Sequence, residues 1–396
     1  DVTAQAPWTN PSVVSLFTSL YPSSHHLMTL KSDGKLRSLD EKIITLTQIV
    51  KEEGYRTGAF TANPWLSAGI GLERGFDMYR DLPMKTPANR LNSIALEWIR
   101  SLQGADPFFL YIQYMDVHGP YQPSQPYDTM YRSNKPGRHL SPEERERMPD
   151  YLRIEGLQTL EGYIARYDGG IRFWDECLGT FLDALSTEGY LSNTILVVTA
   201  DHGEEFLDHG GFNHGSTLYE EQLRVPLILR IPEPAGTARN VLNRGRIDDP
   251  VELVDVLPTL LSLIDIPSID QFQGDDLTDL IRGSGWQAEP VFGEGAVGFG
   301  GLPLPEGRLV SVRINDHKLI FNLDTKDPRL YDISSDPGER TNRADSSPAV
   351  EEEILDRLRV WIESCKRDGE RYESGELETG QDVLEDLRAL GYLPEE

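Results

Sequence analysis

Three short, nearly continuous apolar runs constrain this chain more than any other feature. They are PFFLYIQYM at 107–115, NTILVVTA at 193–200 and RVPLILRIP at 224–232, and TGAFTA at 57–62 is a shorter companion. Each reads as a buried strand. Between and around them lie amphipathic, helical patterns: DEKIITLTQIVKEE at 40–53, NSIALEWIRSLQ at 92–103, a long one over 157–187 and VELVDVLPTLLSLIDI at 251–266. Strands alternating with helices in this way predict an α/β fold, a mixed and mostly parallel sheet held between helices.

The last part changes character. Around 307–331 two or three short antiparallel strands are separated by turns at INDHK and DTKDP, and SPAVEEEILDRLRVWIESCK supplies a terminal helix. We therefore read an α/β core over 1–300 and a small α+β subdomain over 301–396, divided near the glycine-rich FGEGAVGFGGLP. Residues 122–155, rich in Pro, Arg, Glu and Ser, read as a long surface excursion. The acidic stretch 368–390 is expected to be partly disordered or folded back.

Charge narrows the partners. Against 38 Lys and Arg stand 65 Asp and Glu, a net charge of −27, which disfavours loose binding to nucleic acid or anionic membranes. An anionic substrate would need a local cationic pocket, such as a metal site. Cys177 and Cys365 lie far apart in helical patterns and read as structural thiols, not as a disulfide framework. No run reaches the roughly 20 apolar residues of a membrane span, and the first residues do not read as a signal peptide. Cytoplasmic and exported locations both stay open, and so does a homo-oligomer.

In α/β folds, sites gather at the carboxyl ends of strands. Asp116 and His118 follow the run at 107–115, Asp201 and His202 follow that at 193–200, and His209 and His214 lie in the loop DHGEEFLDHGGFNHG. Asp and His together suit zinc or manganese, whereas magnesium and calcium favour an oxygen-richer set. Glu204, Glu205 and Asp208 either approach such an ion or stay solvated or paired with Arg or Lys. Thr9 stands near the N-cap of a short helix, where free backbone N–H groups would favour an oxyanion. Its hydroxyl becomes a nucleophile only beside a base or a metal. His118 is placed to act as a general acid or substrate-binding group, or packs on Pro120 and Tyr121. His214 either donates to an oxyanion or binds a second metal. His25 and His26 are expected at the surface or in a loop, and His139 and His317 give no catalytic signal.

Taken together, Thr9 to His26, YIQYMDVHGPYQP, YDGGIRFWDECLGTFLDAL, VVTADHGEEFLDHGGFNHGSTLYEEQLRVPLI and VRINDHKLIFNLDTKDPRLYDISSDPGERTN resemble the sulfatase family of the alkaline phosphatase superfamily. The resemblance runs in the family's order over nearly the whole chain. It implies an alkaline-phosphatase-like fold, one or two divalent ions (Zn, Mn, Ca or Mg) and a small anionic ester as substrate. By the same resemblance Asp201 and His202 are metal ligands, joined by Thr9 as nucleophile and ligand. His118 is the active-site histidine, and His214 stands where relatives carry a lysine or a second metal-binding histidine.

The family's nucleophile motif is C/S-x-P-S-R, whose first residue is converted to formylglycine. Here it reads Thr9-Asn10-Pro11-Ser12-Val13. Threonine is not a substrate for that conversion, and Val13 replaces the arginine. Threonine nucleophiles serve related phosphodiesterases, phosphotransferases and phosphomutases. The implied activity is therefore metal-dependent hydrolysis or transfer of phosphate mono- or diesters through Thr9. The alternatives are an arylsulfatase-like sulfate-ester hydrolase and a non-catalytic binding protein of the same fold. The family's first strand, with one or two metal-binding aspartates, would lie upstream of Asp1, so the chain is expected to be incomplete at its N-terminus.

Overall fold

The computed structural model describes residues 1–28, 37–102, 106–232, 245–295, 307–377 and 380–389. The strand Arg56–Thr61 lies between Met78–Asp81 and Phe108–Gln113 and runs parallel to both. Gly58 at its middle has a packing reason: a Cβ there would come within 2.8 Å of the Trp98 ring. The helix Ala88–Ser101 can thus press close. Its Leu91, Ile94, Ala95, Trp98 and Ile99, recurring at helical spacing, bury against Phe60 and against Phe181 and Leu185 of the long helix Leu160–Thr187.

The run at 224–232 forms two strands, because Pro226 has no N–H to give a ladder. Arg224–Val225 pairs antiparallel with Val2–Thr3, which is itself parallel to Val251–Glu252. Leu227–Arg230 pairs antiparallel with Leu196–Thr199. The architecture is mixed α/β, as expected. Among the described residues, Phe108–Gln113 and Leu196–Thr199 each have a strand partner along one edge, and both are half-buried.

Several helix starts fall later than the apolar pattern suggests. The helix read from residue 40 spans Leu46–Glu52, because Thr45 and Gln48 form a reciprocal capping box that sets its start. The segment 251–266 opens as the strand Val251–Glu252 and becomes α-helical only at Val256–Leu263. The excursion at 122–155 holds the short helices Tyr127–Met130 and Pro142–Arg147, and its Leu140, Met148 and Leu152 pack on Tyr121, Tyr163 and Phe212. No helix among the described residues is long and apolar enough to cross a membrane.

In the C-terminal part, Val291–Gly295, Leu309–Ile314, His317–Asn322 and Pro328–Asp332 form one antiparallel sheet in that order. The helix Pro348–Gly369 covers it with Ile354, Leu358 and Trp361. Residue 300 lies outside the described residues, and the sheet takes its first strand from the core side of that position. The acidic stretch folds back as the helix Gln381–Ala389, whose Leu387 is buried with Ala6, Trp8 and Trp65. Cys177 and Cys365 are buried, unbridged thiols. His25, expected near the surface, is buried because the turn Pro22–His25 doubles back on the first helix and sets its Nε2 3.1 Å from Ser15 Oγ. His26 is half-buried against the Gly369 carbonyl.

Three carboxyls, Glu252, Asp255 and Glu294, are buried where the first helix meets the C-terminal sheet. Glu252 accepts from Gln5 Nε2, Tyr21 Oη and the Phe292 N–H, at 3.0, 2.8 and 2.7 Å. Glu294 accepts from the backbone N–H and hydroxyl of Ser23. Burial pushes Asp255 and Glu294 up to about 7, and burial together with the neighbouring Asp255 raises Glu252 well above the carboxylate range. A raised carboxyl favours the folded state while protonated, and that contribution is lost as pH rises through the folded-state pKa. Glu294→Gln keeps an acceptor for Ser23 and removes the titration. The variant should therefore gain stability relative to the parent between pH 5 and pH 8, by roughly 3 kcal/mol at the limit. Urea denaturation of both proteins at the two pH values measures it.

Candidate active site

The sequence places a short apolar helix directly after Trp8, and that helix carries Thr9 into the site. It spans Thr9–Thr18, with Trp8 as an extended N-cap whose side chain makes no cap bond. Thr9 is therefore the first helical residue and not the cap. Its hydroxyl turns away from its own helix and takes partners from two other segments. Asn63 Nδ2 donates to Thr9 Oγ1 at 3.2 Å, and His202 Nε2 lies 3.5 Å from the same oxygen. Thr9 itself is only 2% exposed.

Asp201 and His202 form the turn that follows the strand Leu196–Thr199. Gly203 makes this turn possible, since a Cβ there would lie 2.1 Å from the Glu221 carbonyl oxygen. His202 Nδ1 faces the Gly203 carbonyl at 2.8 Å. A carbonyl can only accept, so Nδ1 carries a proton, and Nε2 is the ring nitrogen that faces Thr9 and Asp201. Asp201 Oδ2 lies 3.8 Å from that Nε2. Gln113, closing the strand Phe108–Gln113, donates to the same carboxylate oxygen at 3.4 Å, and the Tyr111 hydroxyl bonds its Oε1 and orients the amide. Ser12 Oγ donates to the Asp201 carbonyl at 2.5 Å, clamping the helix to the turn.

His118 and His214 join this group. The His214 ring is centred 4.0 Å from that of His202 and 5.1 Å from that of His118. His214 Nδ1 sits 3.1 Å from Glu204 Oε1, and His118 Nδ1 lies 2.8 Å from the Gly119 carbonyl. Burial holds His118 down to about 4 and His214 well below the usual imidazole range, each helped by a neighbouring histidine. Both environments favour the uncharged ring at neutral pH. Of the readings open for His118, general acid is the one this environment disfavours, since it needs a protonated ring.

The rest of the histidine-rich loop is divided. Glu204 is not solvated; it is buried against His214, and burial raises its pKa. Glu205 braces the hairpin, accepting from the N–H groups of His209 and Gly211 and from Gln222 Nε2. Asp208 accepts from the Phe206 N–H. His209 leaves the site: it bonds Glu221 at 2.6 Å, stacks on Tyr219 at 3.5 Å and reaches the Glu339 carbonyl. Asp116 also stands aside, accepting from the Ala88 N–H at the start of a helix. His139 bridges to Thr159, and His317 opens a strand of the C-terminal sheet.

Thr9 Oγ1, His202 Nε2 and Asp201 Oδ2 fit a divalent ion in kind and spacing, one nitrogen with two oxygens inside 4 Å. The carbonyl on His202 Nδ1 is the brace that a ligating imidazole requires. The set is partial, because among the described residues no group of three or more His, Cys, Asp or Glu could hold a metal. Two residues that sequence reasoning missed, Asn63 and Gln113, contact the Thr9 hydroxyl and the Asp201 carboxylate. Their signal was positional: each is an amide at or just past the carboxyl end of a strand.

Comparison with known proteins places this geometry. The Sulfatase family model matches residues 1–266, and a second model, the C-terminal part of N-sulphoglucosamine sulphohydrolase, matches 207–367. An arylsulfatase of Clostridium perfringens is 28% identical over 79% of this chain and 63% of its own length. The multifunctional alkaline phosphatase superfamily protein PehA of Trinickia caryophylli is 26% identical over 74% of this chain and likewise 63% of its own length. The chain thus spans less than two thirds of these curated relatives. Among solved structures, the phosphonate monoester hydrolases of Silicibacter pomeroyi and Agrobacterium radiobacter share the fold, with TM-scores of 0.73 and 0.72 at 19% and 20% identity. They cover 93% and 92% of this chain and 87% and 88% of their own. With a family model over residues 1–266 and the same fold in these structures, the chain belongs to the sulfatase family.

Proposed function

We propose that this chain is a metal-dependent hydrolase or transferase that moves the phosphoryl group of a small phosphate mono- or diester onto Thr9. The observation that carries this reading is the Thr9 hydroxyl, buried and set between the Asn63 amide donor and His202 Nε2. A threonine cannot become formylglycine, so the hydroxyl itself is the group available for attack. Sulfatase-family enzymes generally use a divalent ion. Here Asp201, His202 and Thr9 would hold it, with His214 beside them. When bound, the ion supplies the positive charge that lets a chain of net charge −27 accept an anion.

The chain's own residues then have separable tasks. Thr9 Oγ1 forms a bond to phosphorus while the bond to the ester oxygen breaks; the Thr9 proton passes to solvent, and the departing oxygen takes one from water. The N–H groups of the helix start face the transferred group and favour its charge. His118 and His214, uncharged, flank it as hydrogen-bonding neighbours. Water then attacks phosphorus and frees Thr9, and an alcohol in its place would complete a transfer. PehA and the phosphonate monoester hydrolases support this reading by kinship. The arylsulfatase relatives favour a second one, sulfate-ester hydrolysis at the same site.

Thr9→Ala should lower kcat on an aryl phosphodiester by about a thousandfold. Acid-quenched wild-type protein, and not the variant, should gain the mass of one phosphoryl group on the peptide holding Thr9. Faster turnover of an aryl sulfate than of the phosphoester would select the second reading, and no turnover of either by metal-loaded protein would select a binding protein. Asp201→Ala should lose the bound zinc or manganese retained by the parent in native mass spectrometry. It should also lose the rise in Tm that the added ion gives the parent.

A further inference from the structure

We propose that Asn63 is the positioning residue for Thr9, fixing the direction in which its hydroxyl points. The proposal rests on the reading of Thr9 as nucleophile. It begins with the amide's orientation. Asn63 Oδ1 accepts from the Trp65 backbone N–H at 3.0 Å, at the start of the single helical turn Pro64–Leu66. A backbone N–H can only donate, so the oxygen end of the amide is assigned, and the NH2 end must face Thr9 Oγ1 at 3.2 Å. Thr9 is then the acceptor of this bond. The lone pair of Oγ1 that takes this bond is thereby fixed, and with it the direction in which the rest of the hydroxyl faces, toward the side where His202 Nε2 lies 3.5 Å away.

The result is a nucleophile oriented from one side: one lone pair of Oγ1 is engaged by Asn63, which leaves the other free to face the substrate and the ion that Asp201 and His202 would hold. When Thr9 gives up its proton, the bond from Asn63 becomes charge-assisted and therefore stronger, so it favours the attacking form over the resting one.

Several contacts hold the amide in place. The Asn63 N–H donates to Thr61 Oγ1 at 3.1 Å, and Thr61 ends the strand Arg56–Thr61. Asn10 Nδ2 donates to the Trp65 carbonyl at 3.4 Å, so the helix bearing Thr9 is tied to the turn bearing Asn63. With 5% exposure, Asn63 has little room for another rotamer.

The test compares Asn63→Asp, Asn63→Gln and Thr9→Ala in the metal-loaded protein. Asp keeps the volume and an oxygen for Trp65, and turns the donor facing Thr9 into an acceptor. Gln keeps donor and acceptor on a longer arm. For Asp the expected result is a melting temperature close to the parent's, kcat on an aryl phosphodiester about a hundredfold lower and KM within about threefold. Acid quenching should show equally slowed phosphorylation of Thr9. Gln should recover at least about tenfold over Asp. Independently of activity, the Asn63 side-chain amide resonance, identified by its loss in Asn63→Asp, should shift in Thr9→Val.

Full turnover in Asn63→Asp beside an inactive Thr9→Ala would overturn the proposal and leave Thr9 as nucleophile. Equal losses in Asp and Gln would overturn it in favour of packing. An active Thr9→Ala would overturn both readings. Should Asp fail to yield a cooperative melt, Asn63→Leu takes its place in the comparison with Gln.

Discussion

The hydrogen bond from the Ser12 hydroxyl to the Asp201 carbonyl, 2.5 Å long, joins residues 189 positions apart and holds the candidate site together. On one side of it is the helix that starts at Thr9, on the other the turn that presents Asp201 and His202. A nucleophile and a metal ligand must stay within a few tenths of an ångström of working geometry, and two independently mobile segments cannot supply that. The bond turns the two segments into one body. Gly203 is the complementary constraint, letting the turn lie against the Glu221 carbonyl where any side chain would push it away.

Ionisable groups in the interior serve two different ends. Lys318 is buried with Glu220 at 2.7 Å and Glu339 at 3.0 Å, a paired cluster that links the C-terminal sheet to the segment following the histidine-rich loop. Such a pair fixes one arrangement more than it adds stability, because desolvation offsets much of the attraction. Around Thr9 the balance differs: imidazoles and the amides of Asn63 and Gln113 stand beside the carboxyls of Asp201 and Glu204. An anion entering there would meet like charge at those carboxyls, so acidity and anion binding become compatible only when a bound cation offsets it.

Much of this was readable in the chain. The strand positions followed from the apolar runs, and because strand ends collect functional groups, Asp201, His202 and His118 were found with them. What failed to show was whatever depends on a partner distant in sequence. His25 looked like a loop residue because nothing local reveals that it folds under Ser15. His209 and His214 stand five positions apart in one loop, yet one faces Thr9's neighbours and the other stacks on Tyr219, a division set by the hairpin that Glu205 braces. Asn63 was passed over because an asparagine after a strand is ordinary turn chemistry. Only the three-dimensional placement of its amide gives it a role. Glu204 was left open for the reverse reason: a carboxylate in a polar loop suggests solvent as readily as a metal, and its burial is a tertiary fact.

The packing of Leu387 against Ala6, Trp8 and Trp65 sets an order in time. A ribosome releases Trp8 and Thr9 early and Leu387 almost four hundred peptide bonds later. Until then the two indoles lack one of their buried apolar neighbours, and part of their surface is left to transient contacts. This part of the interior is therefore completed only after Leu387 has been made. A chain terminated before Leu387, even one containing Asn63 and His202, would lack that contact and present more aromatic surface at Trp8 and Trp65, the kind of exposed apolar surface that chaperones recognise.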